Sequence, residues 1–132
     1  MIKFTDDLLV GVGNIDEQHK ELFERINAVT ALGAKSVSKE VTDKTIKMLG
    51  DYIIKHFRDE ELLHRQYGYP KADKHKDMHT AYIESYKKLV AEYNANGPSA
   101  AFTLQLNKSI VEWIVKHIRS ADADFGKFVK AK

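Results

Sequence analysis

Between positions 56 and 79 the chain reads HFRDEELLHRQYGYPKADKHKDMH, and four of its six histidines fall in that stretch. Two spacings in it bear on chemistry. His56 and Glu60 form an HxxxE pair and His75 and His79 an HxxxH pair, and residues four apart on a helix stand above one another on one face. Imidazole nitrogen and carboxylate oxygen offered together from such a face suit first-row divalent metals. Either pair alone is as readily surface or capping chemistry. The wider pattern adds His19 early in the first amphipathic segment, His117 late in the last, and Asp122 beyond it.

Elements must bring these groups together, and the punctuation of the chain supplies four. Residues 1–15, with Gly11 and Gly13, read as an irregular arm. Asp16 can cap a first helix over about 16–34, whose inward stripe is Ile15, His19, Leu22, Ile26 and Val29. A short connection around Ser36 and Ser38 leads to a second helix, 39–67, with the stripe Ile46, Leu49, Ile53, His56, Glu60, His64. Gly68 and Pro70 end it. The third, about 71–94, spaces His75, His79, Tyr82, Tyr86, Leu89 and Tyr93 helically. Gly97 and Pro98 stop it, and Ser99 can cap a fourth over 99–120, carrying Leu106, Ile110, Trp113 and His117 before a short C-terminal segment. Long helices with short connections make antiparallel neighbours. The expected fold is an all-α, up-and-down four-helix bundle forming one domain over 1–132; the alternative is an all-α array with different crossings.

In such a bundle His19, His56, Glu60, His75, His79 and His117 lie at one end, on the apolar stripes. Polar groups there are cut off from water and must satisfy one another or a metal. Five imidazoles and two bridging carboxylates fill about nine of the roughly twelve positions of two six-coordinate ions, and a shared oxygen brings this to about eleven, leaving one open. The donor set favours iron over calcium or magnesium, with zinc or manganese able to use the same groups. Asp122 poses a geometric problem. Five residues past His117 on a regular helix, it would point about 140° away, so a wide turn, most simply a π bulge, is required if both serve one site.

Composition bounds the alternatives. The chain has 132 residues, 43% hydrophobic and 30% charged, with a formal charge of +2. Its basic residues are interleaved with acids, which argues against nucleic-acid binding, and no protein partner is indicated. Acids interrupt the N-terminal segment, and no apolar run approaches a membrane span, so a cytoplasmic address is expected. With no cysteine, thiolate zinc sites and iron–sulfur clusters are excluded and any metal is held by nitrogen and oxygen.

The motifs GVGNIDEQHKEL, HFRDEELL, YGYPKADKHKDMH and WIVKHIRSAD, in that order over nearly the whole chain, resemble those of the hemerythrin family, specifically its single-domain bacterial members. The resemblance implies two non-haem iron ions. His75, His79 and His117 would hold one, His19 and His56 the other, with Glu60, Asp122 and an oxo or hydroxo group bridging them. It further implies reversible O2 binding, end-on at the open position as a hydroperoxide protonated from the bridge, inside a closed apolar pocket. Phe57, Trp113, Ile114 and Ile118 are the candidate walls of that pocket, although the same positions suit ordinary core. The implied role is oxygen carrier, store or supplier, not enzyme.

Four positions depart from the family pattern. Phe4 and Leu8 stand where the arm usually has Trp and Tyr, and Phe125 where a Tyr often follows the bridging Asp. His64 stands where an apolar residue such as Met is usual. It is either an extra ligand or proton donor, or a core histidine bonded to a neighbouring polar group. Glu61 is expected to face away from the metals. Together Glu61 and His64 spell ExxH, an element that di-iron oxidases use twice with further glutamates. Only one occurs here, so an oxidase or peroxidase-type enzyme is the rival reading, followed by an oxygen or iron sensor acting through a partner.

Overall fold

A computed structural model describes residues 2–33, 39–97 and 99–131. Four long helical stretches form an up-and-down bundle: α1 (Gly13–Gly33), α2 (Lys39–Tyr67), α3 (Ala72–Asn96) and α4 (Ala100–His117). A π-helical turn, Ile118–Asp122, joins α4 to α5 (Ala123–Lys130). Ile118 and Ala123 keep right-handed helical dihedrals, so α4, the π turn and α5 make one rod. The fourth helix thus does not end near Ser120; the wide turn expected between His117 and Asp122 is absorbed inside it. The expected connection at Ser36 and Ser38, and Pro98, lie outside the described residues.

The turn between α2 and α3 is built by local chemistry. Gly68 takes φ +63°, a left-handed conformation that costs glycine nothing. The Tyr69 N–H then donates to the His64 carbonyl at 2.9 Å and the Gly68 N–H to that of Arg65 at 3.2 Å. This pair of bonds is a Schellman cap, and the contact that accompanies it sets the Tyr69 ring against that of His64, tilted by 45° with ring centroids 5.1 Å apart. The chain therefore reverses at once, and His75 and His79 come back beside His56 and Glu60. At α4, the Ser99 hydroxyl accepts from the Phe102 N–H at 3.0 Å, as its capping position anticipates.

Asp16 does not cap α1, which starts at Gly13. From the first turn its carboxylate instead accepts the N–H groups of Val10 and Gly11, at 2.8 and 3.1 Å. Those donors belong to the arm, whose backbone groups need partners, and a negative charge is favoured near a helix N-terminus. The arm is further held by Asn27, which bonds both the N–H and the carbonyl of Ile2, and by Phe4, edge-on to Phe23 at 5.4 Å. Leu8 and Val10 are buried.

One half of the bundle is an apolar core of Ile26, Val29, Ile46, Leu49, Ile53, Leu106 and Ile110. The buried histidines and carboxylates occupy the other half. Among the described residues no helix is long and apolar enough to cross a membrane. At Gly126 the Val10 backbone crosses α5 so closely that a methyl group would run into the Val10 carbonyl. Gly126→Ala should therefore lower stability by about 1–3 kcal/mol in urea unfolding, through forced separation of the arm from α5.

Candidate metal centre

All seven side chains singled out by spacing are buried, and they fall into two overlapping groups. Glu60, His75, His79, His117 and Asp122 form one; His19, His56, Glu60 and Asp122 form the other, each with one ligand atom per residue within 4.8 Å of the rest. Glu60 and Asp122 belong to both. Each arrives by helix phase: one turn separates His56 from Glu60 and His75 from His79, and the π turn brings Asp122 round to the side of His117.

The distances describe two clusters of donor atoms. His75 Nε2 lies 2.8 Å from Glu60 Oε1, 3.0 Å from Asp122 Oδ1 and 2.9 Å from His117 Nε2. His79 Nε2 is 3.1 Å from Glu60 Oε1 and 3.2 Å from His117 Nε2. On the other side, Asp122 Oδ2 is 3.0 Å from His19 Nε2, and Glu60 Oε2 is 3.9 Å from His56 Nε2. Donors at adjacent corners of a six-coordinate ion, each about 2.1 Å from it, are about 3 Å apart. Both carboxylates send one oxygen to each group.

Hydrogen bonding does not account for this crowding. Both oxygens of Glu60, both of Asp122 and both nitrogens of His19 are buried without a hydrogen-bond partner, despite the short separations. Carboxylate oxygens and an imidazole that converge on a point and are left without partners there are arranged for an ion at that point. The donor set therefore fits a pair of metals.

The same crowding sets the protonation of the metal-free chain. Burial pushes His56 down to about 3, with the neighbouring His19 adding to the effect. Burial takes His79 down to about 4, against the pull of Glu61. Burial opposes charge on His75 as well, but Asp122 and Glu60 outweigh it and raise His75 to about 9. Glu60 is raised to about 7 by burial and by the charge of Asp122. Burial alone would raise Asp122, yet His117, His19 and His75 hold it well below the usual carboxylate range.

Two residues outside the expected set grip the imidazoles from behind. Gln18 Oε1 lies 2.7 Å from His56 Nδ1, and the Gln18 amide donates onward to Asp59 at 2.7 Å, where Lys55 also bonds. Glu61 does turn away from the convergent atoms, but its Oε2 lies 2.9 Å from His79 Nδ1. Neither contact follows from one helix's periodicity, because each is made across a helix pair. Such partners fix the tautomer and orientation of a ligating histidine.

Of the proposed walls, Phe57 lies parallel to His79 with centroids 3.9 Å apart, and Trp113 stacks on His117 at 4.4 Å. Tyr82 backs Trp113 at 4.1 Å. Ile114 and Ile118 are buried in the apolar core. Phe57 and Trp113 thus pack against the three-histidine side, with Phe57 also 5.9 Å from His56. His64 is fully buried yet belongs to neither group, and neither of its nitrogens has a hydrogen-bond partner. Among the described residues no polar group is bonded to it; its ring packs among those of His75, Phe125 and Tyr69.

A helical bundle that buries a histidine-rich, two-centre donor set at one end is a metal-binding helical protein. Residues 10–129 match the family model described as the hemerythrin HHE cation-binding domain, and the chain belongs to that family. It is 30% identical over 132 residues to the bacteriohemerythrin of Stenotrophomonas maltophilia (strain R551-3), covering 99% of this chain and 83% of that one. It is 32% identical over 108 residues to the myohemerythrin of Theromyzon tessulatum, covering 82% and 77%. The fold is similar to a crystal structure of wild-type hemerythrin, with a TM-score of 0.87, 24% identity and 96% of each chain covered.

The pKa shifts give the metal-free chain a stability maximum near neutral pH, measurable by urea unfolding across pH. His56, His64 and His79 are held at about 3, 3 and 4 against 6.5 unfolded, so the unfolded chain binds more protons and stability falls as pH drops below 6.5. Glu60, raised from 4.5 to about 7, works in the opposite direction between those values but is one group against three. The stability contributed by His75 is present below 6.5 and is lost as pH rises through about 9. A stability that climbs steadily as pH falls from 6.5 to 4 would contradict this protonation scheme.

Proposed function

We propose that this protein binds O2 reversibly at a non-haem di-iron centre and acts as an oxygen carrier, store or supplier. One observation carries the reading: two buried donor groups that share Glu60 and Asp122, rich in imidazole and closed from water. His75, His79 and His117 would hold one iron, His19 and His56 the other, with Glu60 and Asp122 bridging them together with an oxo or hydroxo group. The names of the relatives, bacteriohemerythrin and myohemerythrin, support it.

When bound, the irons would supply the two electrons exchanged with O2. The chain's own groups do the rest. With three histidines in one group and two in the other, the two-histidine side would be the one with room for O2. Glu60 and Asp122, which belong to both donor groups, would hold both ions. Gln18 and Glu61, by accepting the Nδ1–H of His56 and His79, hold those rings in the tautomer that presents Nε2 and make them better donors. Phe57, Trp113, Ile114 and Ile118 would exclude water and anions that promote loss of electrons from the centre. With two carboxylates and five imidazoles, the centre has too few anionic ligands to favour high-valent iron, which sets it apart from an oxidase.

The deciding experiment is anaerobic reconstitution with ferrous iron, then O2 exposure and degassing under optical observation. A charge-transfer band that appears with O2 and disappears on degassing is expected; irreversible oxidation would shift the reading to an oxygen-activating enzyme. Metal stoichiometry tests the assignment separately. Wild type should bind two ferrous ions per chain, whereas Glu60→Ala, which removes a donor common to both groups, should weaken both sites by at least about 10-fold.

A further inference from the structure

We propose that His64 is a positioning residue for the centre: a nitrogen of its ring accepts the Nδ1–H of His75 and fixes that ligand from behind. The inference rests on the assignment of His75 as a metal ligand. His75 turns its Nε2 to Glu60, Asp122 and His117, all within 3.0 Å, which leaves Nδ1 as the proton-bearing nitrogen. That Nδ1 is buried and has no partner. His56 and His79 already have theirs, in Gln18 and Glu61. The same support is missing at His75, and a buried N–H without an acceptor is costly.

His64 supplies the complementary deficiency. It is fully buried, and both of its nitrogens lack partners. Its ring is in contact with that of His75, centroids 4.4 Å apart and planes tilted by 45°. A neutral imidazole always has one bare nitrogen able to accept. The other rings against it, Phe125 at 4.4 Å and Tyr69 at 5.1 Å, press on its flanks. The Schellman cap holds its backbone, since the His64 carbonyl accepts from Tyr69. The bond calls for rotation of the His64 ring about its terminal torsion, for which an imidazole has a broad range. As a ligand it is misplaced, because it lies in neither metal group.

The test uses the full chain loaded with zinc, diamagnetic and bound by the same groups, and with ferrous iron. In the zinc form with 15N-labelled histidine, a coupling across an N–H···N bond between His75 and His64 is expected, and its absence overturns the proposal. In the ferrous form, His64→Met should speed iron release to a chelator by about 10-fold or more, and His64→Gln, whose amide oxygen can accept, should restore most of the difference. Unchanged release in His64→Met, or His64→Gln no better than Met, would refute it, as would direct metal coordination of His64 in the zinc form. Should His64→Met fail to fold, the wild-type coupling decides alone. Failure of the wild type to take up metal would sink the ligand assignment, a separate outcome.

Discussion

Glu60 and Asp122, two carboxylates at the junction of two histidine groups, impose the constraint on which the rest of the structure depends. Each sends one oxygen to either side, and all four oxygens are buried without hydrogen-bond donors. Like charges this close in a water-free interior repel strongly and are tolerated only with cations between or beside them. In the metal-free chain protons partly fill that role, which is why Glu60 is raised and His75 holds its proton tightly. Metal binding and proton release are then two faces of one equilibrium.

The fold answers that constraint by dividing the bundle. The apolar half, around Ile46, Leu49, Leu106 and Ile110, supplies the hydrophobic stabilisation that the polar half cannot. Each helix contributes to both halves, so its alignment in the apolar half sets the height of its clustered polar side chains in the other. The arm and α5 close the polar end: Asp16 ties Val10 and Gly11 down, Gly126 lets Val10 pass, and Phe125 packs beneath His64.

Precision at the centre comes from a further layer. Gln18 and Glu61 contact the imidazoles of His56 and His79 rather than the convergent atoms, and each stands beside a member of the cluster in sequence, on the flank of its helix. The aromatic layer of Phe57, Trp113 and Tyr82 lies over the imidazoles of the three-histidine side and leaves their rings little room to turn.

By itself, the sequence determined the all-helical class, the stripes and the ends of α2 and α3, because apolar period, Gly68 and Gly97 act locally. It also determined that His19, His56, Glu60, His75, His79 and His117 share a level, since helix phase and antiparallel order settle that before any packing. The five-residue step from His117 to Asp122 required a wide turn, and the π segment Ile118–Asp122 supplies one. Tertiary structure decided what depends on a second helix or a distant segment. Asp16 looked like a cap, but two unsatisfied N–H groups of the arm claimed its carboxylate; α4 ran on to Lys130 in α5 because Phe125 and Gly126 are buried against the arm and the α2–α3 turn. Glu61, one residue off the stripe that carries Glu60, reaches His79 only across the helix pair. The surroundings of His64, with His75 on one side and Phe125 on the other, arise only once three segments far apart in sequence have packed together.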